Sequence, residues 1–415
     1  MDDKPLRDEV ATDATAHVSD AVPRRFTGGA GMRVIAAAVV LVIHAAVETL
    51  TWKHSRGFNL SEEAPGQYRP LLGSLAPELA LMRTGVYIFF VLSGYLLSRS
   101  FLASYMLGTP RPSISRFFRN RALRIIPAFW LVTTVYVLWD HATGAGGLLA
   151  VYGFAQNYHW VSSAEVLPQA WTLNVEVTYY IVVPIAALLA LATIRRVRTA
   201  AKTRMWIVLA VLAAAYAVSL VLKHLAGNPV NNAYNIADYM FAIVPGLALA
   251  TIEPFVAPRL RSSRWGRAAA WGLLCLCVAL LGAFVSLPVS YHGIRLVLIS
   301  LGCGALVGAP LILQWATGNC WRVLDNRVMQ WLGQRTYGIY LVHLGLMGHL
   351  LVHIGNGHGD RTTFVLLLAT AIPLTLLAAD LLWRLVEQPA LQRRLPWRQA
   401  EFGLKAAAGT SGASG

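Results

Sequence analysis

Apolar residues in this chain fall into long blocks separated by short stretches rich in Arg, Gly or Pro. Blocks of about 17 to 25 residues are long enough to cross the apolar part of a bilayer as α-helices. The pattern predicts about ten such helices, at residues 33–50, 83–102, 123–140, 172–194, 205–223, 237–252, 268–287, 294–316, 334–354 and 362–386. The sixth is the shortest and carries Asp238 and Pro245. We therefore predict an all-α fold, a polytopic transmembrane helical bundle.

Composition argues against a water-soluble fold. Hydrophobic residues make up 56% of the chain and charged residues only 13%, about half the charged fraction of typical soluble domains. The net charge of +15 does not indicate nucleic-acid binding, because the Lys and Arg residues lie between apolar blocks and not on a polar domain. Cys275, Cys277 and Cys303 lie within apolar blocks, and the cysteine spacing fits neither a disulfide framework nor a zinc site.

Basic residues concentrate in every second loop, and loops rich in Lys and Arg face the cytoplasm in membrane proteins. The loops concerned carry Arg111, Arg116, Arg119 and Arg121; Arg195, Arg196, Arg198, Lys202 and Arg204; Arg259, Arg261, Arg264 and Arg267; Arg322 and Arg327; and Arg393, Arg394 and Arg398. This places both termini in the cytoplasm. The predicted organisation is a polar cytoplasmic tail at 1–30, a transmembrane domain at 31–390, and a basic, then disordered, cytoplasmic tail at 391–415.

Ionisable residues inside spanning helices are costly and commonly mark functional sites. His44 lies eleven residues after Arg33, which puts the two side chains some 20° apart around a helix and roughly 16 Å apart along it. One interpretation makes Arg33 a phosphate anchor and His44 a general base, since imidazole titrates near neutral pH. The other is a boundary arginine and a structural histidine bonded to a neighbouring helix.

Further polar residues extend this candidate site. Arg121 and Arg124 share a helix face, where they either clamp a phosphorylated cofactor or mark the cytoplasmic boundary. Glu176 either holds an imidazole in its useful tautomer or bridges helices. His343 is also intramembrane. His349 and His353 have the helical spacing of a metal pair but lack a third ligand, so we predict no metal.

Six segments, taken in order, resemble motifs of the membrane acyltransferase-3 family, which contains bacterial O-antigen, exopolysaccharide and macrolide acyltransferases. The resemblance covers nearly the whole chain. The segments are Arg33 with His44, Phe89 to Leu97, Phe117 to Pro127, Trp171 to Tyr180, Thr336 to His343, and Glu387 to Pro389. Many members have two successive carboxylates in the fourth-helix segment, whereas here Glu176 is followed by Val177, which puts any role needing both acids in doubt.

The resemblance implies an acyl-CoA donor, most often acetyl-CoA, no permanently bound cofactor, and a hydroxyl acceptor on a carbohydrate, glycolipid or natural product. It also implies a multi-pass protein of the bacterial plasma membrane. Some relatives carry an extracytoplasmic domain, whereas this chain ends shortly after the tenth span. We therefore expect the membrane unit to transfer the acyl group alone or to pass it to a separate extracytoplasmic partner.

From these residues we hypothesise that Arg33, Arg121 and Arg124 hold the anionic cofactor and that His44 is the catalytic base or a transient acyl carrier. Glu176 supports the imidazole, directly or through another residue. Tyr340 and His343 line the acceptor path.

A different class of function is also compatible with intramembrane His, Glu and Asp residues, because such residues form proton relays. This alternative is a proton-coupled transporter or a flippase of a polar lipid or sugar. Transporters commonly contain inverted repeats and broken helices, and the two halves of this sequence show no clear internal repeat.

Overall fold

Ten long helices dominate the computed structural model, which describes residues 26–54, 71, 81–107, 112–140, 145–158, 167–196, 199–225, 236–261 and 263–394. No strand occurs within these ranges. The helices are α1 Gly29–His54, α2 Thr84–Leu107, α3 Ile114–Asp140, α4 Trp171–Arg196, α5 Ala201–Leu225, α6 Ile236–Leu260, α7 Arg264–Ser286, α8 His292–Thr317, α9 Arg327–Ile354 and α10 Asp360–Leu382.

All ten are long and apolar enough to cross a membrane, which confirms the predicted class and the ten predicted spans. The largest boundary error concerns α3, which begins at Ile114 instead of residue 123. The arginine-rich stretch before residue 123 resembles a loop by hydropathy, yet Arg is a good helix former. Phe117 and Asn120 of this stretch are buried in the bundle, so the helix extends through it.

The tenth span does not end as a regular α-helix. A π-helical turn, Trp383–Glu387, follows α10 and leads into a last short helix, Gln388–Gln392. Such turns insert one extra residue into the hydrogen-bonding ladder and often occur at functional sites. Here the turn directs Glu387 inward, where its side chain is buried.

Burial differs strongly among the helices. α8 is the most buried of the ten and α5 the least. The exposed side chains of α5 and α7 include large apolar residues such as Trp206, Val211, Trp271 and Val278. An apolar exposed surface suits contact with lipid rather than water. These two helices therefore form outer parts of the bundle.

Helices α2 and α6 approach each other closely because each has a glycine at the contact. A Cβ atom added at Gly94 would collide with the carbonyl oxygen of Ile243, and one added at Gly246 would collide with that of Val91. Small residues commonly permit such close helix packing in membranes. The Ser93-Gly94 sequence therefore has a packing role in addition to placing Ser93 beside the site described below.

Two buried ion pairs also join neighbouring helices. Arg99 of α2 contacts Glu253 of α6 at 2.9 Å, and Arg335 of α9 contacts Asp380 of α10 at 2.5 Å. In a low-dielectric interior a charge is tolerated when it is paired and hydrogen-bonded. These pairs therefore neutralise charges inside the bundle and fix the pairing of the helices.

The predicted polar tail at 1–30 lies outside the described residues up to residue 25. The predicted C-terminal tail at 391–415 lies outside them from residue 395 onward. The cytoplasmic placement of both termini stays a prediction, since helix packing alone does not orient a bundle in a membrane.

Candidate active site

One cavity of about 870 Å³ lies among the helices that carry the predicted site residues. Its lining includes six of the seven: Arg33, His44, Arg121, Arg124, Glu176 and Tyr340. These residues come from α1, α3, α4 and α9, so segments distant in the sequence converge on one space. Arg33 and His44 both face it, as their spacing predicts. His343 does not line the cavity and lies behind His44.

The cavity has a basic end. Arg33 lies near the start of α1, Arg121 and Arg124 lie in the first three turns of α3, and Arg394 follows the last short helix. In a bundle of alternating helices, the starts of odd-numbered spans and the end of the tenth lie on one side. All four side chains line the cavity, so this end concentrates guanidinium groups that suit a phosphate-rich ligand.

Arg394 was predicted only as a boundary residue, and the structure adds it to the cavity lining. Burial, followed by the like charges of Arg124 and Arg121, lowers the pKa of the Arg394 guanidinium to about 10. The group remains protonated at neutral pH, so the three cations repel one another, and Glu387 offsets only part of this repulsion. An anion bound among them would relieve that repulsion.

Arg121 is held by aromatic rings. Its guanidinium lies 5.7 Å from the ring centroid of Phe117 and 5.5 Å from that of Tyr180. Among the residues the structure describes, no carboxylate forms an ion pair with Arg121. Contact with ring faces and a side-chain hydrogen bond with Tyr180 stabilise the cation, and the side chain lines the cavity, where a ligand can reach it.

Glu176 contacts the same group of side chains. Its Oε1 atom accepts hydrogen bonds from Ser93 Oγ at 2.9 Å and from Tyr180 Oη at 2.7 Å. Glu176 is therefore linked to Arg121 through Tyr180, whose ring contacts the Arg121 guanidinium. Within the described ranges no hydrogen bond joins Glu176 to His44, and support of the imidazole by Glu176, directly or through another residue, stays a prediction.

His44 instead contacts His343, across 299 residues of sequence. His343 Nε2 lies 3.1 Å from His44 Nδ1, and the ring centroids are 5.0 Å apart. His343 Nδ1 lies 2.8 Å from the backbone carbonyl oxygen of Tyr340. The two imidazoles thus form a hydrogen-bonded pair between α1 and α9, with His44 on the cavity side.

Tyr340 joins α9 to the start of α4. Its hydroxyl donates to the backbone oxygen of Gln169 at 2.6 Å and lies 2.9 Å from Thr172 Oγ1. The side-chain amide of Gln169 donates to the backbone oxygen of Leu341 at 2.9 Å. These reciprocal bonds fix the turn before α4 against α9. Tyr340 therefore shapes the cavity wall next to His343.

The opposite end of the cavity is aromatic. Lys223, near the end of α5, and His292, at the start of α8, line it. Lys223 Nζ lies 4.7 Å from the ring centroid of Tyr239, and Tyr239 is 5.0 Å from Trp171 and 5.6 Å from Phe90. All three rings line the cavity. This end offers flat apolar faces beside a few polar groups, an arrangement common in organic ligand sites.

Sequence reasoning did not single out Ser93, Tyr180, Arg394 or Lys223. Ser93 and Tyr180 lie within quoted motif segments, so the signal was present but not assigned to them. No group of three or more metal-ligating side chains occurs in the described part of the chain. The four cysteines are free thiols in the structure.

Two similar proteins are named as peptidoglycan O-acetyltransferases. A putative peptidoglycan O-acetyltransferase YrhL of Bacillus subtilis is 29% identical over 283 residues, which cover 62% of this chain and 43% of that protein. Peptidoglycan O-acetyltransferase OatA of Listeria monocytogenes is 27% identical over 284 residues, covering 62% and 44%. The chain thus spans less than half the length of either relative.

Nodulation protein 10 of Rhizobium leguminosarum is 27% identical over 353 residues, covering 78% of this chain and 86% of that protein. No solved structure matches the chain significantly.

A family model matches most of the chain, and the matched range includes every predicted site residue. Residues 30–384 match the family described as "Acyltransferase domain". This range begins before Arg33 and ends after His343, so it spans α1 to the π-helical turn. The chain belongs to this acyltransferase family.

Proposed function

We propose that this protein is a multi-pass membrane O-acyltransferase that moves an acyl group, acetyl in the simplest case, from acyl-CoA to a hydroxyl group. The observation that carries the proposal is the convergence of a basic cluster and a cavity-facing histidine on one space. Guanidinium groups suit the phosphates of the donor, and a histidine suits proton transfer near neutral pH. The names of two relatives support acetyl as the group transferred.

The donor binds at the basic end. Arg33, Arg121, Arg124 and Arg394 contact the phosphates, while the narrow pantetheine arm extends along the cavity toward His44. Arg33 and His44 are separated by three helical turns, roughly 16 Å, a distance that an extended arm can cover. Glu176 holds Tyr180, which in turn contacts Arg121, so we assign Glu176 to positioning of the donor-binding group.

The chemistry is a single balanced transfer. His44 Nε2 removes the proton from the acceptor hydroxyl as its oxygen attacks the thioester carbonyl carbon. The new C–O ester bond forms, the C–S bond breaks, and the leaving thiolate takes the proton back from His44. The products are an O-acyl ester and the free thiol of CoA, with His44 returned to its starting state.

The acceptor enters from the aromatic end. The faces of Trp171, Tyr239 and Phe90 suit the apolar face of a sugar ring, and Lys223 supplies a polar contact for its hydroxyl groups. Relatives named as peptidoglycan O-acetyltransferases support a carbohydrate of the bacterial cell envelope as acceptor. Tyr340 also lines the cavity. The plasma membrane of a bacterium is the corresponding location.

The test is acyl-CoA turnover by the purified, detergent-solubilised protein, followed as free thiol release with a panel of hydroxylated sugars. His44→Ala should lower kcat by about 100- to 10,000-fold, the usual contribution of a general base. His349→Ala is the matched control, because His349 is also intramembrane but does not line the cavity. It should retain wild-type turnover.

Two outcomes would overturn the proposal. Unchanged thiol release in His44→Ala would exclude His44 as the base. Well-folded protein that neither binds labelled acyl-CoA nor releases thiol would favour a proton-coupled transporter or flippase instead.

A further inference from the structure

His343 is buried, with 1% of its surface exposed, and its imidazole lies on the side of His44 away from the cavity. A neutral imidazole has one N–H donor and one nitrogen acceptor, so its neighbours determine which nitrogen carries the proton. The two histidines are joined by a single nitrogen–nitrogen contact of 3.1 Å. Their protonation states are therefore coupled.

The backbone of α9 determines the proton position on His343. Its Nδ1 atom lies 2.8 Å from the carbonyl oxygen of Tyr340 and 3.1 Å from that of Ile339. A carbonyl oxygen can only accept a hydrogen bond, so Nδ1 must carry the proton. In the neutral ring, Nε2 then has a lone pair, and this is the atom that faces His44.

The proton position on His343 determines the proton position on His44. Its Nδ1 atom faces the lone pair of His343 Nε2 and must be the donor in the 3.1 Å contact. The proton of neutral His44 is therefore on Nδ1, and Nε2 carries the lone pair. His44 lines the cavity, and Nε2 is the ring nitrogen that is left unprotonated.

We propose that His343 is a positioning residue that holds His44 in the Nδ1–H tautomer, so that Nε2 meets the acceptor hydroxyl as a base. This inference rests on the proposed function, in which His44 is the base. It replaces the predicted role of His343 on the acceptor path. The arrangement parallels a carboxylate behind a catalytic histidine, but the group that accepts the hydrogen bond from His44 is here a neutral imidazole.

A neutral hydrogen-bond acceptor suits a position inside the membrane. A second buried carboxylate would be costly inside a membrane unless paired, whereas His343 needs only backbone carbonyl groups of its own helix. When His44 takes the hydroxyl proton and becomes a cation, its Nδ1–H bond to His343 becomes charge-assisted and strengthens. No proton has to move onto His343 during the reaction.

Two variants of the full chain test the role of His343. His343→Met fills similar space but offers no strong hydrogen-bond acceptor to His44. The value of kcat should therefore fall on the order of 100-fold, while KM for acyl-CoA stays unchanged. His343→Gln places an amide oxygen near the position of Nε2 and should retain kcat within several-fold of wild type. A purely packing role would predict similar losses in both variants.

Nitrogen-15 solid-state NMR of histidine-labelled protein gives a second readout that requires no variant of His343. Signals of His44 are identified by their loss in His44→Gln. The wild type should show His44 protonated at Nδ1 and unprotonated at Nε2.

The outcomes separate this inference from the proposed function. Wild-type kcat in His343→Met, together with an inactive His44→Ala, would exclude the positioning role and leave His44 as the base. A wild-type spectrum with His44 protonated at Nε2 would also overturn the inference, even if His343→Met failed to fold. Full activity of His44→Ala would instead contradict the proposed function itself.

Discussion

Two clusters in this bundle contain the same three residue types, Arg, Tyr and Glu, but use them differently. In the first, the Glu253 carboxylate contacts Arg99 at 2.9 Å and accepts a hydrogen bond from Tyr95 at 3.0 Å. In the second, Glu176 accepts from Tyr180 and Ser93. Arg121 contacts the Tyr180 ring there and forms no ion pair with Glu176.

The difference lies in where each arginine directs its donors. The cluster of Arg99, Tyr95 and Glu253 does not line the cavity. The cluster of Arg121, Tyr180 and Glu176 lines it. A guanidinium paired with a carboxylate has its charge neutralised in place, whereas one held by aromatic side chains keeps its charge for a ligand. An intramembrane charge therefore indicates function only when its partners leave it available.

The largest expected effect comes from breaking the ion pair between Arg99 and Glu253. Glu253→Gln removes the carboxylate that contacts the largely buried guanidinium of Arg99 at 2.9 Å, which should destabilise the protein by about 3 to 5 kcal/mol. The thermal midpoint of the solubilised protein should fall by roughly 5 to 10 °C. The double variant Arg99→Met with Glu253→Gln removes both charges and should recover most of this loss. An unchanged midpoint in the single variant would show that the pair contributes little.

Substitutions in the cluster of Arg121, Tyr180 and Glu176, which lines the cavity, should weaken binding of the donor without changing the stability of the protein. Arg121→Gln removes the charge-assisted hydrogen bonds that we propose to the donor phosphates, each worth about 1.5 to 3 kcal/mol. KM for acyl-CoA should therefore rise roughly 10- to 100-fold, with little change in the thermal midpoint. Arg119→Gln is the matched control, since Arg119 is on the same helix but exposed and outside the cavity lining. Equal effects of the two variants would indicate a general surface-charge effect.

The smallest expected effect concerns Ser93, which donates one hydrogen bond to Glu176. Ser93→Ala loses about 0.5 to 1.5 kcal/mol of interaction, so kcat/KM for acyl-CoA should fall roughly 2- to 10-fold. Ser98 of the same helix donates to the backbone oxygen of Gly94 and does not line the cavity. Ser98→Ala should leave kcat/KM at the wild-type value, and a similar loss in both variants would contradict the role assigned to Glu176.

The helices were predictable because bilayer thickness imposes a length on each apolar block. All ten spans were located in this way, and the same-face relation of Arg33 and His44 followed from helical spacing. The start of α3 was not predicted correctly, because an arginine-rich segment has the hydropathy of a loop whether or not it forms a helix. Packing of Phe117 against Phe101 and Tyr180 determines the outcome, and hydropathy contains no information on such contacts.

The partners of the site residues could not be predicted in the same way. His44 and His343 are in separate motifs, and only the packing of α1 against α9 brings them together. The sequence indicated that Glu176 is unusual in a membrane but not that Tyr180 and Ser93 are its partners. Arg394 resembles any basic residue at a membrane boundary. Its placement in the cavity depends on the π-helical turn before it, which no hydrophobic pattern reveals.

The glycine contact between α2 and α6 has a consequence for how the protein moves. At Gly94 and Gly246 the two backbones touch without intervening side chains, so neither helix can rotate or slide past the other without collision. The ion pair of Arg99 and Glu253 joins the same two helices a few residues further along. These helices therefore form the wall of the cavity that we expect to move least, and any widening of the cavity should come from displacement of other helices.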